Sequence, residues 1–306
     1  MGSYVIKRVV SMIITLFFVT SITFLMMHSA PGNPFTGEKK LPPAVEKALM
    51  AKFNLDQPIS KQYADYMKGI MVGDFGPSIK YSGRTVANLI ESGFPVSAEL
   101  GGWALLLIVI AGIPLGVIAA LKQGTWIDKT MIFFAIVGVT IPSFVLATLL
   151  IYFFGVKLKI LPTSRWVNWK SKIMPVIALG ISSIAYVARL TRSTMLEVIN
   201  QDYIRTARAK GLSESKVVFK HALKNALIPV VTYLGPLAAA ILTGSFIIEK
   251  IFAVPGMGRM FVDSITNRDY TVIMGVTIFY AVILVVVIFI VDMIYGLIDP
   301  RIKLNK

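Results

Sequence analysis

Six long runs without a charged side chain constrain this chain more than any other feature of its sequence. They begin at residues 9, 100, 130, 173, 225 and 270 and contain between 16 and 27 residues each. An α-helix needs roughly 20 apolar residues to cross a bilayer. The shortest run, residues 173–188, approaches that length if it continues through Arg189, whose long side chain can extend its charge to the interface. We therefore predict an all-α integral membrane protein with six transmembrane helices.

The composition supports a membrane protein and excludes several other classes. Only 15% of the 306 residues are charged and 56% are hydrophobic, whereas a soluble domain is about 25% charged. This apolar balance excludes a soluble globule and a disordered chain. The chain has no cysteine, which excludes disulfides and thiolate metal sites, and its two histidines, His28 and His221, are far apart. We therefore expect no metal site.

The distribution of lysine and arginine predicts the orientation in the membrane. Fifteen of them fall in segments that face the cytoplasm if the N-terminus is inside, against eight in the short loops on the other side. Because basic residues accumulate on the cytoplasmic side, both termini are expected to be cytoplasmic. The first run lacks a small-residue cleavage pattern and is longer than a signal-peptide core, so we interpret it as a membrane span that is retained.

The segment between the first two spans is predicted to form a helical cap outside the membrane. Pro43 is a favourable first residue of a helix, an apolar stripe begins at Ile59, and Thr85 can cap a third short helix. The predicted organisation is therefore a first span in residues 1–30, an extracellular cap in 31–96 and a five-helix core in 97–306. The cap is either a cover for the span ends or a docking surface for an extracellular partner.

The cytoplasmic segment of the core, residues 195–229, predicts two helices joined by a tight turn. Gly211 occurs where a helix end favours a left-handed residue, and Ser213 is a favourable N-cap for the next helix. Ile204, Ala207 and Gly211 share one side of the first helix. A DNA-binding helix-turn-helix has a similar turn and charge, but membrane spans follow on both sides and prevent entry into a groove. A solvated basic loop remains possible, and a docking element for a cytoplasmic protein fits best.

At these residues the chain resembles the inner-membrane permeases of binding-protein-dependent ATP-binding-cassette importers. That family has a Glu-Ala-Ala…Gly…Leu-Pro motif. Ala207 and Gly211 match it, whereas Arg205 and Thr206 replace the glutamate and first alanine, and Ile228-Pro229 replaces Leu-Pro.

The variant of the motif resembles the peptide-transport branch of the family. The similar segments are 29–34 (SAPGNP), 73–76 (GDFG), 141–144 (IPSF), 202–212 (DYIRTARAKGL), 221–231 (HALKNALIPVV), 254–259 (VPGMGR), 267–270 (NRDY) and 299–302 (DPRI). The long first outer loop indicates the B-type subunit, most similar to the oligopeptide permease of Gram-positive bacteria. The resemblance implies a bacterial plasma-membrane protein with the type I importer permease fold. The implied partners are a second permease, two ATPases and a lipid-anchored extracellular binding protein that delivers peptide.

The resemblance also implies site residues. A helix at about 201–210 would insert into a cleft on an ATPase, with the small Ala207 allowing close seating. The coupling residues are Asp202, Tyr203, Arg205, Thr206, Ala207, Arg208, Lys210 and Gly211. Small or polar residues of spans 3 to 5 are candidates for the substrate pathway: Thr140, Ser143, Ser182, Ser183 and Thr243. Ordinary helix packing through small residues explains the latter set equally well.

Nothing in the sequence predicts catalysis by this chain. The spacing from Gly32 to Gly37 resembles a phosphate-binding loop, but Glu38 occupies the position of the lysine. ATP and magnesium are therefore expected on the partner ATPases, and no cofactor is expected here. Asp292, near the end of the last span, is expected to have a basic partner at the interface rather than to relay protons. Two alternatives stay open, namely import of nickel or another small solute and ion-coupled secondary transport.

Overall fold

The regular secondary structure of the protein is helical in the residues that its computed structural model describes, which are 2–29, 34–35 and 42–298. Within these ranges the extended structure is limited to one isolated bridge between Pro77 and Thr85. The predicted all-α class is therefore confirmed. Several predictions concern residues outside these ranges: most of segment 29–34, the first part of the outer segment, the glycine-spaced loop ending at Glu38, and the C-terminal motif at 299–302.

We number the helices of the described residues in chain order. They are α1 (Gly2–Ser29), α2 (Pro43–Lys52), α3 (Ile59–Met71), α4 (Val86–Leu121), α5 (Trp126–Thr140), α6 (Ser143–Lys157), α7 (Trp169–Ile199), α8 (Asp202–Ala209), α9 (residues 214–242), α10 (Phe246–Ile251), α11 (Met257–Asn267) and α12 (Tyr270–Ile298). Single π-helical turns interrupt α4 at Ile108–Gly112 and α9 at Val217–Ala222, and α6 ends in one at Ile151–Lys157.

Five stretches of helix in the described residues are long and apolar enough to cross a membrane, and a bent pair provides a sixth. The bent pair corrects the prediction of one uninterrupted span between residues 130 and 156. It consists of α5 and α6, which differ in direction by 103° at Ile141-Pro142. Pro142 lacks a backbone N–H and disfavours helical geometry at the residue before it. Ile141 accordingly has extended torsions of φ −76° and ψ 122°.

The outer segment contains the two predicted helices, α2 and α3, but the third prediction is wrong in extent. Thr85 caps a helix as expected, since its Oγ1 accepts a hydrogen bond from the Asn88 N–H at 3.2 Å. That helix is not short: it continues through Pro95 as α4 and forms the second span. The boundary predicted at residue 96 therefore falls inside a helix.

The second of the two helices predicted in segment 195–229 does not end there, because it continues into the fifth span as α9. Ser213 occupies the N-cap position, and its carbonyl oxygen accepts a hydrogen bond from the Val217 N–H at 3.0 Å, but its side chain forms no capping bond. The predicted fifth run, residues 225–248, crosses the end of α9 and enters α10. Gly244, with φ +97°, separates these two helices.

The chain divides into two compact units, with one boundary between Val96 and Ser97 and a second between Val254 and Pro255. The first unit consists of the residues up to Val96 and from Pro255 onward, so the last span groups with the first span and the outer segment. Its core contains Val86 and Leu89 of α4 together with Val272 and Val276 of α12. Arg8 of α1 forms an ion pair with Asp292 of α12, which confirms the basic partner predicted for that carboxylate.

The second unit, Ser97–Val254, contains the membrane-spanning elements α5 to α7 and α9 together with the short helices α8 and α10. α7 is its central element and packs against α4, α5, α6 and α9. Glycines allow close approach to it: a Cβ on Gly116 would lie only 2.5 Å from the Ala188 carbonyl oxygen. The arrangement places the turn after α8 and both helix breaks within one unit.

Candidate functional site

Helix α8 ends in the left-handed glycine that the sequence predicts. Gly211 has φ +76°. Its N–H donates to the Arg208 carbonyl oxygen at 2.9 Å, and the Leu212 N–H donates to the Ala207 carbonyl oxygen at 3.4 Å. This pair of bonds is the Schellman arrangement, which satisfies the carbonyl groups at a helix end. The turn then leads directly into α9 at Glu214.

The inner face of α8 is packed against the protein's own core. Ile204 is fully buried and Ala207 is 7% exposed. They belong to a cluster that includes Met195 of α7 and Val217 and Ala222 of α9. The structure therefore differs from the expectation that Ala207 seats directly in a cleft of a partner, because its side chain points inward and positions α8.

The outer face of α8 is exposed and polar. Its members are Asp202, Tyr203, Arg205, Thr206, Arg208 and Lys210. Arg208 forms a two-point ion pair with Glu214, with Nε–Oε1 at 2.7 Å and Nη2–Oε2 at 3.3 Å, which joins the two sides of the turn. The Tyr203 hydroxyl accepts a hydrogen bond from the Asn225 amide at 2.7 Å. The face available to a partner is therefore a hydrophilic one on a helix fixed from behind.

Three of the predicted pathway residues lie at the two helix breaks of this unit. Thr140 ends α5, Ser143 begins α6, and Thr243 follows α9. The helices that begin after the breaks, α6 and α10, pack against each other. Discontinuous helices are common at substrate sites of transporters because they present free backbone groups within the membrane. Ser182 and Ser183 lie apart from the breaks, half-buried in the middle of α7.

A buried carboxylate that was not predicted from the sequence lies beside the second break. Glu249 of α10 is 0% exposed. Its Oε1 accepts hydrogen bonds from the Ser97 hydroxyl at 2.9 Å and from the Ser245 N–H at 3.1 Å. A side chain on Gly244 would collide with the same oxygen. The sequence signal was available, since Glu249 is a single acid that follows an apolar run.

A second buried carboxylate, Asp128 at the start of α5, was also missed. It is 3% exposed and forms a two-point ion pair with Arg192 of α7, at 2.6 Å to Nε and 2.8 Å to Nη2. It also accepts a hydrogen bond from the Gly124 N–H at 2.9 Å. The pair joins α5 to α7. Because α7 runs without interruption from Arg192 to Ile199 and α8 follows directly, α5 is thereby connected to the segment that contains the Gly211 turn.

The first unit contains a separate cavity of about 310 Å³ between α1, α3 and the start of α12. Aromatic and polar residues line it, among them Phe24, Gln62, Tyr66 and Tyr270. The Tyr66 hydroxyl is buried without a hydrogen-bond partner among the described residues, and burial raises the pKa of this hydroxyl. Hydrogen bonds hold α3 to the end of α1, at 2.7 Å for Tyr63 to Ser21 and 3.0 Å for Gln62 to His28.

Comparison with known proteins identifies the class to which this fold belongs. Residues 112–304 match the family described as binding-protein-dependent transport system inner membrane component, and residues 1–92 match the corresponding N-terminal family. The chain belongs to this family of membrane transport components, as the sequence resemblance predicted. As an inner membrane component of a transport system, it is a transport subunit rather than an enzyme.

Two curated relatives match over essentially their whole length. The chain is 53% identical over 306 residues to the dipeptide transport system permease protein DppB of Bacillus subtilis, covering 100% of this chain and 99% of that protein. It is 47% identical over 305 residues to the oligopeptide transport system permease protein OppB of Salmonella typhimurium, covering 99% of this chain and 100% of that protein. The resemblance to the peptide-transport branch is therefore confirmed.

Two solved structures share the fold at low sequence identity. A chain of the inward-facing MetNI methionine ABC transporter has a TM-score of 0.57 at 18% identity, covering 69% of this chain and 96% of its own. An amino acid ABC transporter crystallised with histidines has a TM-score of 0.51 at 22% identity, covering 71% and 95%. The predicted importer permease fold is thus confirmed.

Proposed function

We propose that this chain is the B-type permease subunit of an ATP-driven peptide importer. The observation that carries the proposal is a sequence identity of 47–53%, over essentially the whole chain, to permease proteins named for dipeptide and oligopeptide transport. In this role the chain forms half of the translocation pathway, and a second, homologous permease forms the other half. The proposed location is a bacterial plasma membrane with both termini in the cytoplasm, supported by the excess of basic residues in the segments assigned to that side.

Energy for transport is proposed to come from two partner ATPases that bind ATP and magnesium. The exposed face of α8 and the Gly211 turn form the proposed contact with an ATPase. Burial of Ile204 and Ala207 supports this assignment, because it couples movement of α8 to α7 and α9. The outer residues of the helix then meet the partner, while the inner residues transmit its displacement.

The proposed pathway lies along the second unit. Thr140, Ser143 and Thr243 at the helix breaks, with Ser182 and Ser183 on α7, are the proposed lining residues. α6 and α10, which begin at the two breaks, pack against each other and against α7. This packing supports the placement, because a shift of α7 would move both helices. The outer segment is proposed to lie outside the membrane and to meet an extracellular peptide-binding protein.

Reconstitution tests the proposal. The complex of this chain with its second permease, ATPases and binding protein is placed in proteoliposomes, and ATP-driven accumulation of a labelled dipeptide, a longer peptide and nickel is measured. We expect peptide uptake that requires ATP and the binding protein, and none by the chain alone. Accumulation of nickel without peptide would contradict the substrate class, and robust uptake by the chain alone would indicate a secondary carrier.

A further inference from the structure

One face of α7 is polar from its middle to its cytoplasmic end. The stripe consists of Ser182, Tyr186, Arg189, Ser193 and Glu197, spaced four, three, four and four residues apart, so that they share one side of the helix. All five side chains are exposed or half-buried, whereas Ala185, Val187, Thr191 and Met195 on other sides are buried. A polar face is unfavourable against lipid hydrocarbon. This face of a spanning helix therefore borders water or a polar partner.

Arg189 is the cation of this stripe and is supported by two aromatic rings. Its guanidinium carbon lies 5.7 Å from the centre of the Tyr186 ring. That ring packs on Tyr233 of α9, with a distance of 4.3 Å between ring centres. A cation over an aromatic face is held in position without losing its N–H donors. The guanidinium is thus oriented and still able to bind an anion.

Arg192, the next arginine along α7, has a carboxylate partner that Arg189 does not have among the described residues. Arg192, one turn further on, has its guanidinium occupied by the buried Asp128. Arg189 is exposed, and among the described residues no carboxylate lies within ion-pair distance of it. The two arginines therefore differ in role, since one is neutralised inside the unit and the other offers its charge outward.

We propose that Arg189, supported by Tyr186 and Tyr233, binds the free α-carboxylate of a peptide as it passes along the polar face of α7. The inference rests on the proposed function. Every unmodified linear peptide ends in this anion regardless of its side chains, and a guanidinium pairs with a carboxylate through two parallel hydrogen bonds. The hydroxyl of Ser182, about two turns before Arg189 on the same face, offers a donor and an acceptor to the peptide backbone.

Two other occupants fit a cation at this depth and become outcomes of the test. A lipid phosphate would be reached by extension of the side chain to the interface. An acidic residue of the second permease would make Arg189 part of the subunit contact. Neither of these would distinguish a peptide with a free carboxylate from the same peptide with an amide.

The experiment uses the complete complex in proteoliposomes and two labelled peptides that differ only in a free or amidated C-terminus. Both are supplied at concentrations that fill the binding protein equally, as checked by direct binding. ATP-driven uptake is compared for the wild type, Arg189→Gln and Arg189→Lys. Lys122→Gln is the control, because Lys122 is an exposed cation that follows α4 and lies outside α7 and outside the outer segment.

We expect wild-type uptake to favour the free-carboxylate peptide and Arg189→Gln to abolish the preference by lowering uptake of that peptide about tenfold. Arg189→Lys should be intermediate, because lysine keeps the charge but not the two-point geometry. Lys122→Gln should behave as wild type.

Four results overturn the inference. An unchanged preference in Arg189→Gln would show that another group recognises the carboxylate, and the absence of any preference in the wild type would leave Arg189 to a lipid phosphate. An equal loss for both peptides, together with loss of the second permease from the purified complex, would indicate a subunit contact. If the wild-type complex hydrolyses ATP but transports neither peptide, the proposed function itself fails, and the inference fails with it.

Discussion

Helices α3 and α8 end in the same way but differ in what they bury. Each is closed by a Schellman turn with a left-handed glycine, Gly73 at φ +78° and Gly211 at φ +76°. None of the thirteen residues of α3, all in the described part of the chain, is fully buried, whereas α8 buries Ile204 and Ala207. The same local motif therefore ends a helix attached by surface contacts in one region and a helix anchored in a core in the other.

This difference separates the role of the turn from the role of the anchor. α3 is attached to α1 through a few hydrogen bonds and ring contacts, such as Tyr63 to Ser21 and Tyr63 to Phe24. α8 is surrounded by residues of α4, α7 and α9. A force applied to α8 must therefore also displace the ends of three longer helices. A segment that only connected two spans would not transmit the force in this way.

The largest effect is expected from Ala207→Trp. Overpacking a well-packed core costs about 1–3 kcal/mol or more, and here the indole would push α8 away from α7 and α9. We expect loss of the ATPases from the purified complex while the two permeases still pair. Ala64→Trp on the exposed side of α3 is the matched control and should leave ATPase retention unchanged. Equal retention in both variants would contradict the anchoring of α8.

Gly211→Val is expected to have the next largest effect. A β-branched side chain in the left-handed region costs on the order of 1–2 kcal/mol, although no atom lies within 4 Å of the added Cβ. We expect reduced peptide-stimulated ATP hydrolysis with normal insertion.

Gly73→Val is an unusually close control for this variant, because Gly73 has the same torsion and the same open surroundings. Any general effect of a strained turn on expression should be shared by the two variants. A loss of ATPase retention in the purified complex, which needs no binding protein, that is confined to Gly211→Val would support the assignment, and equal retention in both variants would refute it.

A smaller effect is expected from the exposed face of α3. Lys61, Asp65 and Lys68 lie on that face. Exposed charges contribute up to ~1 kcal/mol each to an interface, so replacing all three with alanine should weaken stimulation of ATP hydrolysis by the binding protein severalfold. Basal hydrolysis, measured without the binding protein, should be unchanged. Full stimulation in the triple variant would remove α3 from the proposed docking surface.

The smallest effect is expected from Arg208→Ala. Arg208 and its partner Glu214 are 39% and 65% exposed in their side chains, so their ion pair is screened by solvent and contributes at most about 1 kcal/mol. ATPase retention should fall slightly and become less sensitive to salt. A loss as large as that of Ala207→Trp would contradict the expectation that an exposed charge contributes little to the contact with the ATPase.

The sequence predicted those features that depend on local chemistry. The uncharged runs predicted the spans, Thr85 the cap of α4, and Gly211 the left-handed turn. The break at Pro142 depends on the same kind of local chemistry, but the absence of charge in residues 130–156 does not reveal it, because hydrophobicity is insensitive to the missing N–H of proline. Likewise, Pro95 does not end α4, since a membrane helix tolerates proline where neighbouring groups satisfy the freed carbonyl.

Features that depend on contacts between distant residues were not predictable. Nothing near Asp128 in the sequence identifies Arg192 as its partner, and Ser97 and Glu249 are separated by 152 positions. The inward direction of Ala207 also depends on residues of α7 and α9, which only the fold brings together. The motif therefore predicted where the turn lies but not which of its side chains faces a partner.

The Asp128–Arg192 pair has a consequence for synthesis of the chain. The two residues are 64 positions apart, so α5 leaves the ribosome well before Arg192 has been made. During that interval the carboxylate of Asp128 must remain in the aqueous layer at the membrane surface, since burying it alone would be costly. Nascent chains that end before residue 192 should therefore hold α5 loosely, and the final seating of α5 and α7 should coincide with the emergence of that arginine.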